Sequence, residues 1–129
     1  MATWGEMTPE EQRAFLEEVR RARTRDADRA RRALRGRRLR AWRLARRVAR
    51  MLRERYGARR VVLIGSLARG NFTLWSDIDL VAFGIPPERF FAAHGEARAA
   101  GLAAGIPVEL HCGDAEGFPA EALIGGRDL

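Results

Sequence analysis

The feature that most restricts how this chain can fold is a change of period near residue 60. Before it, apolar residues recur at three- and four-residue spacings; beyond it come short runs that are continuously apolar or alternate. Val61 to Ile64 is a β-branched, apolar run closed by Gly65. Residues 77–83 alternate charged and apolar types before Gly84 and two prolines, and 106–112 alternate again. These three runs predict strands. Residues 87–104, rich in alanine with Phe90, Phe91 and Leu102 as bulk, predict a helix. The expected fold is therefore α+β: a small mixed sheet of about three or four strands packed on helices over 37–56 and 87–104.

The front of the chain predicts two helices. The first, over 8–34, has Thr8 as a cap, Pro9 in the first turn, and Glu10 and Glu11 at the positive helix end. Its apolar content is thin: Phe15, Leu16, Val19, then alanines until Leu34. Gly36 predicts a break or kink. The second helix, over 37–56, places Leu39, Trp42, Ala45, Val48, Leu52 and Tyr56 on one face, and Gly57 is its stop. Trp42 and Tyr56 read as core residues of that face. The division expected is an arginine-rich helical extension over 1–35 and one folded domain over 36–129, its tail from 113 mostly irregular.

Charge follows the same divide. Residues 1–60 carry 20 arginines against 8 acids, residues 61–129 only 4 against 9, and none of the 24 basic residues is lysine. A basic front suits an anionic partner, either nucleic acid or an acidic protein, and an acidic back suits cations. A single cysteine, Cys112, excludes an internal disulfide and fits a reducing compartment. No apolar stretch follows a basic start, and none reaches the length of a membrane span, so a cytoplasmic protein without a membrane partner is expected.

The chemistry concentrates in 65–80, GSLARGNFTLWSDIDL, with Glu109 between Val108 and Leu110. Side chains two apart on a strand share a face, so Asp77 and Asp79 project together while Ile78 and Leu80 enter the core. Carboxylates held side by side repel each other, and a divalent cation relieves that repulsion. If the third strand lies beside the second, Glu109 joins the patch. An all-oxygen set suits magnesium or manganese, which bridge to substrate phosphates. Gly65 lets the backbone approach a phosphate and the Ser66 hydroxyl can donate to one. Arg69 either contacts phosphate or pairs with Asp77 or Asp79. Together these parts describe a two-metal phosphoryl-transfer site.

Gly65-Ser66, ten intervening residues and Asp77-Ile78-Asp79, with Ala68-Arg69-Gly70 and Ser76 in place, resembles the polymerase-beta nucleotidyltransferase superfamily. Within it the chain is similar to the minimal nucleotidyltransferases, small proteins often paired with a HEPN protein. The resemblance covers about residues 37–112. It implies that Gly65 and Ser66 hold the triphosphate of ATP or another NTP. It implies likewise that Asp77, Asp79 and Glu109 hold Mg2+ or Mn2+, and that Glu109 serves as general base. It further implies transfer of a nucleoside monophosphate, AMP from ATP, to a hydroxyl of a HEPN-type partner, as the antitoxin of a toxin–antitoxin pair. Glutamate stands at the third acid, where aspartate is commoner.

Two alternatives are a non-catalytic nucleotide- or nucleic-acid-binding module of the same fold and a small-molecule nucleotidyltransferase of the aminoglycoside type. Zinc is disfavoured, because Cys112, His94 and His111 would need carboxylates to complete four ligands. Cys112 is expected to be a small buried residue and His111 a surface one. Trp75 could stack on a nucleobase, but capping the core is the favoured reading.

Overall fold

A computed structural model describes residues 3–129. Helix α1 (Pro9–Tyr56) is followed by strand β1 (Arg60–Ile64), the short helix α2 (Gly65–Arg69) and strand β2 (Ile78–Phe83). Helix α3 (Pro87–Ala104), strand β3 (Val108–Cys112) and strand β4 (Arg127–Asp128) complete the order. The chain divides into two compact units, one ending at Arg35 and the other Gly36–Leu129.

The start of α1 is a reciprocal cap. The Glu11 amide donates to Thr8 Oγ1 at 3.2 Å, and the Thr8 amide donates to Glu11 Oε2 at 3.0 Å. The expected break at Gly36 does not occur, because α1 runs through it to Tyr56. A lone glycine costs a helix only about 0.5–1 kcal/mol relative to alanine. The arginines, alanines and leucines around it are strong helix formers, so propagation outweighs that cost. Gly57, at φ 74°, ends the helix, and the amides of Gly57 and Ala58 bond back to the carbonyls of Arg53 and Leu52.

The first unit contains no buried residue among those described. Trp4 meets Phe15 edge to face with ring centroids 6.0 Å apart, and Gln12 Nε2 donates to the Trp4 carbonyl at 3.0 Å. Asp26–Arg29 and Asp28–Arg31 are exposed pairs three residues apart along the helix. Exposed pairs of this kind contribute only about 0.2–0.5 kcal/mol each.

The second unit holds the core. Ala41, Leu44, Ala45, Val48, Ala49 and Leu52 form the buried stripe of α1. They pack with Val61 and Leu63 of β1, Ile78, Leu80 and Ala82 of β2, Ala93 and Ala97 of α3, and Val108 and Leu110 of β3. Of the face expected from sequence, Ala45, Val48 and Leu52 are buried and Trp42 and Tyr56 are packed against the core's edge, whereas Leu39 is 53% exposed.

The sheet is mixed, in the order β3-β2-β1-β4. β1 pairs antiparallel with β2 and with β4, while β2 pairs parallel with β3 through the α3 crossover. Two strand boundaries differ from expectation, since β2 begins at Ile78 and β3 at Val108. The tail is more ordered than expected: Ala120–Leu123 forms a 3-10 turn, and β4 adds an edge to β1.

Candidate functional site

Asp79 stands at the centre of three strands. In β1 its register partner is Ile64, the residue before Gly65; in β3 its partner is Glu109. The parallel pairing of β2 with β3 thus places two carboxylates side by side on the sheet. Ile78 and Leu80, the alternate positions, are fully buried while Asp79 between them is not; beyond Leu80 the alternation ends, because Val81 on the other face is buried as well.

Gly65 adopts φ 79°, and a Cβ built there would lie 2.9 Å from Asp79 Oδ2. Glycine is required twice over: for the left-handed backbone and for the approach of the carboxylate. Ser66 opens α2 half-buried, and the amides of Gly70 and Asn71 close that turn onto its carbonyl. Arg69 is exposed and forms no ion pair with Asp77 or Asp79 among the described residues.

Burial pushes the Asp79 carboxyl above its ordinary value. His111 opposes this through a hydrogen bond and its charge, and Glu109 and Asp77 push it further up by repulsion. The partner is His111 Nε2, 3.4 Å from Asp79 Oδ1, a long contact at the limit of a hydrogen bond. His111 is thus no free surface residue: it lies two positions beyond Glu109 on β3, on the same face, half-buried against the acids. Cys112 is likewise not buried but partly exposed at the end of β3.

Asp77 precedes β2 rather than lying within it, and it is exposed. With Glu109 it lines a cavity of about 280 Å³ that is also lined by His94, Arg98 and Leu102 of α3. Two carboxylates and an arginine thus line one cavity, and none of the three forms an ion pair among the described residues. Among those residues, no three histidine, cysteine or acidic side chains converge on a single point suited to a metal. The donor chemistry fits a hard divalent cation nonetheless, because the acids are all oxygen ligands and their mutual repulsion acts on Asp79.

The loop before Asp77 is held rigidly. Arg37 donates to the carbonyls of Thr73 at 3.3 Å, Ser76 at 3.1 Å and Gly105 at 3.3 Å. Trp75 does not cap the core; it is 90% exposed, and Phe72, buried to 1%, fills the core instead. Sequence reasoning missed three members of this neighbourhood. His111 could have been found from its two-residue offset from Glu109 on an alternating strand. Arg37 and Arg98 carry no such signal, since each lies on a helix whose packing against the sheet is not readable from its own neighbours.

A family model described as nucleotidyltransferase domain matches residues 45–122, more than half of the chain. No curated protein and no solved structure matches it. The chain belongs to the nucleotidyltransferase-domain family, consistent with the minimal members of the polymerase-beta superfamily.

Proposed function

From membership of that family, which supports nucleotidyl transfer from an NTP, we propose that this chain transfers AMP from ATP to a hydroxyl of a partner protein. The observation that carries the reading is the register of Asp79 with Glu109, directly beside the tight turn at Gly65. A HEPN-type partner, with this chain as its antitoxin, follows from the resemblance to the minimal nucleotidyltransferases and from no contact in the fold.

Gly65 brings backbone close to the triphosphate without a side chain in the way, and the Ser66 hydroxyl donates to a phosphate oxygen. Arg69, exposed at the end of the same short helix, is free to reach the phosphates. Asp77, Asp79 and Glu109 would hold magnesium or manganese, which supplies charge neutralisation to the phosphates when bound. His111 orients Asp79 by its hydrogen bond, and Gly65 limits that carboxylate from the other side. Arg98 and His94 line the same cavity as Asp77 and Glu109, and in this reading they would contact the acceptor.

Glu109 takes the proton of the acceptor hydroxyl. The hydroxyl oxygen then bonds to the α-phosphorus, the bond from that phosphorus to the bridging oxygen breaks, and pyrophosphate leaves. Glutamate carries one methylene more than aspartate, so its carboxylate is held less rigidly and transfer is slow.

The test is transfer of labelled AMP to a co-purified partner. Glu109→Gln is expected to lose most of the labelling, on the order of the 10²–10⁴-fold that a positioned base contributes, while ATP binding by calorimetry stays largely intact. Glu109→Asp should keep measurable activity. Equal labelling by wild type and Glu109→Gln would remove the base role; no labelling by either would favour the binding-module reading.

A further inference from the structure

Trp75 is the most exposed large apolar residue among those described, at 90%, and its neighbour Leu74 is 42% exposed. An indole left in water forgoes the burial that stabilises most tryptophans, and what sets Trp75 apart is the ordered loop that carries it. Its backbone is not a slack loop. The Trp75 amide donates to Thr73 Oγ1 at 3.2 Å, the Thr73 amide donates to Ser76 Oγ at 2.9 Å, and the two hydroxyls lie 2.9 Å apart. Arg37 fixes the carbonyls on both sides of Trp75, those of Thr73 and Ser76, and its guanidinium lies over the ring of buried Phe72, 5.6 Å from its centroid. Four residues, Thr73, Ser76, Arg37 and Phe72, are thus engaged in ordering the backbone that carries this exposed ring.

The backbone of Trp75 adjoins Asp77. Trp75 precedes Asp77 by two residues, so their Cα atoms are no more than about 7 Å apart. A loop backbone ordered before binding leaves only two side-chain torsions of the aromatic to settle, which is how aromatic anchors of binding loops keep their entropic cost low. If the triphosphate lies at Gly65-Ser66 and the acid cluster, the one planar, apolar part of the same ligand is its base. Bases stack on aromatic faces whatever their hydrogen-bonding edge.

The geometry points to Trp75 as the stacking platform for the nucleobase of the bound nucleotide. The inference rests on the nucleotide reading above, and it assigns the base a site that the phosphate contacts do not.

The experiment compares ATP with inorganic tripolyphosphate, each titrated calorimetrically with magnesium into wild type, Trp75→Ala and Trp75→Phe. Because Trp75 is exposed, both variants should melt as wild type does. ATP affinity is expected to fall about tenfold in Trp75→Ala and to stay within about threefold in Trp75→Phe. Tripolyphosphate should bind all three proteins alike. Quenching of tryptophan fluorescence should accompany ATP but not tripolyphosphate, and should vanish in Trp75→Phe. Unchanged ATP affinity in Trp75→Ala overturns the proposal, as does an equal loss for both ligands. If wild type binds neither ligand, the nucleotide reading itself has failed, and the stacking role falls with it.

Discussion

The two stretches of α1 on either side of Gly36 are built from the same residue types and have different fates. Both are helical throughout, and both are dense in arginine and alanine. After Gly36, six residues are buried, at spacings of three and one along the helix. Before it none is, and the bulkiest candidates, Phe15 and Leu16, remain 48% and 47% exposed. Helix formation is thus a local matter, decided by capping and by strong helix formers. Burial requires a stripe of apolar residues and a surface to receive it. The first stretch carries charge without a stripe, and so it remains helical without being buried.

The sharpest way to break this comparison is a matched pair of truncations. Leu52→Ala removes a fully buried side chain and should cost about 2–5 kcal/mol. Leu16→Ala, at an exposed site, should change stability by no more than about 0.5 kcal/mol. Urea midpoints with unchanged m-values measure both. Comparable costs would mean that the first stretch is packed in solution.

A smaller effect probes the seam. Gly36→Ala should stabilise the protein by about 0.5–1 kcal/mol. The glycine is helical, and an added Cβ would meet only Arg40 Nη1, at 3.4 Å. Greater helicity and a higher melting temperature are expected in circular dichroism. A loss of stability would instead show that a break at Gly36 is needed.

The smallest effect is one of sign and lies in the acid cluster. Burial and repulsion hold the Asp79 carboxyl above its ordinary value of 3.8. A raised carboxyl favours the folded state when protonated, a contribution present in full below the unfolded value and lost as pH rises through the folded one. Asp79→Asn has no such dependence. Without divalent cation, its stability relative to wild type should therefore rise from about pH 4 upward and level off once Asp79 is ionised. At neutral pH the variant should be at least as stable as wild type while ATP binding is lost. A wild type that is the more stable at neutral pH would show that His111 outweighs burial and the neighbouring acids.

Much of the candidate site was legible because its signals are local. Gly65 after an apolar run marks a turn with positive φ. The alternation of 77–83 separates the carboxylates from Ile78 and Leu80 without knowledge of any partner. Trp75 was misjudged for the complementary reason: whether a loop aromatic turns inward depends on what already fills the core, and Phe72 fills it.

The sequence alone therefore determined the three main strands and the helical segments, the alternation of Asp79 with Ile78 and Leu80, and the residues able to carry the chemistry, since period and turn propensity belong to a few neighbouring residues. Only the tertiary structure decided that β2 and β3 run parallel with Asp79 opposite Glu109, and that His111 joins the acids. It also decided that Arg37 pins the loop displaying Trp75. An alternating strand reads the same in either direction and at any even shift of register. What selects one pairing is the fit of β2, α3 and β3 to the stripe of α1, a contest among segments far apart in the chain.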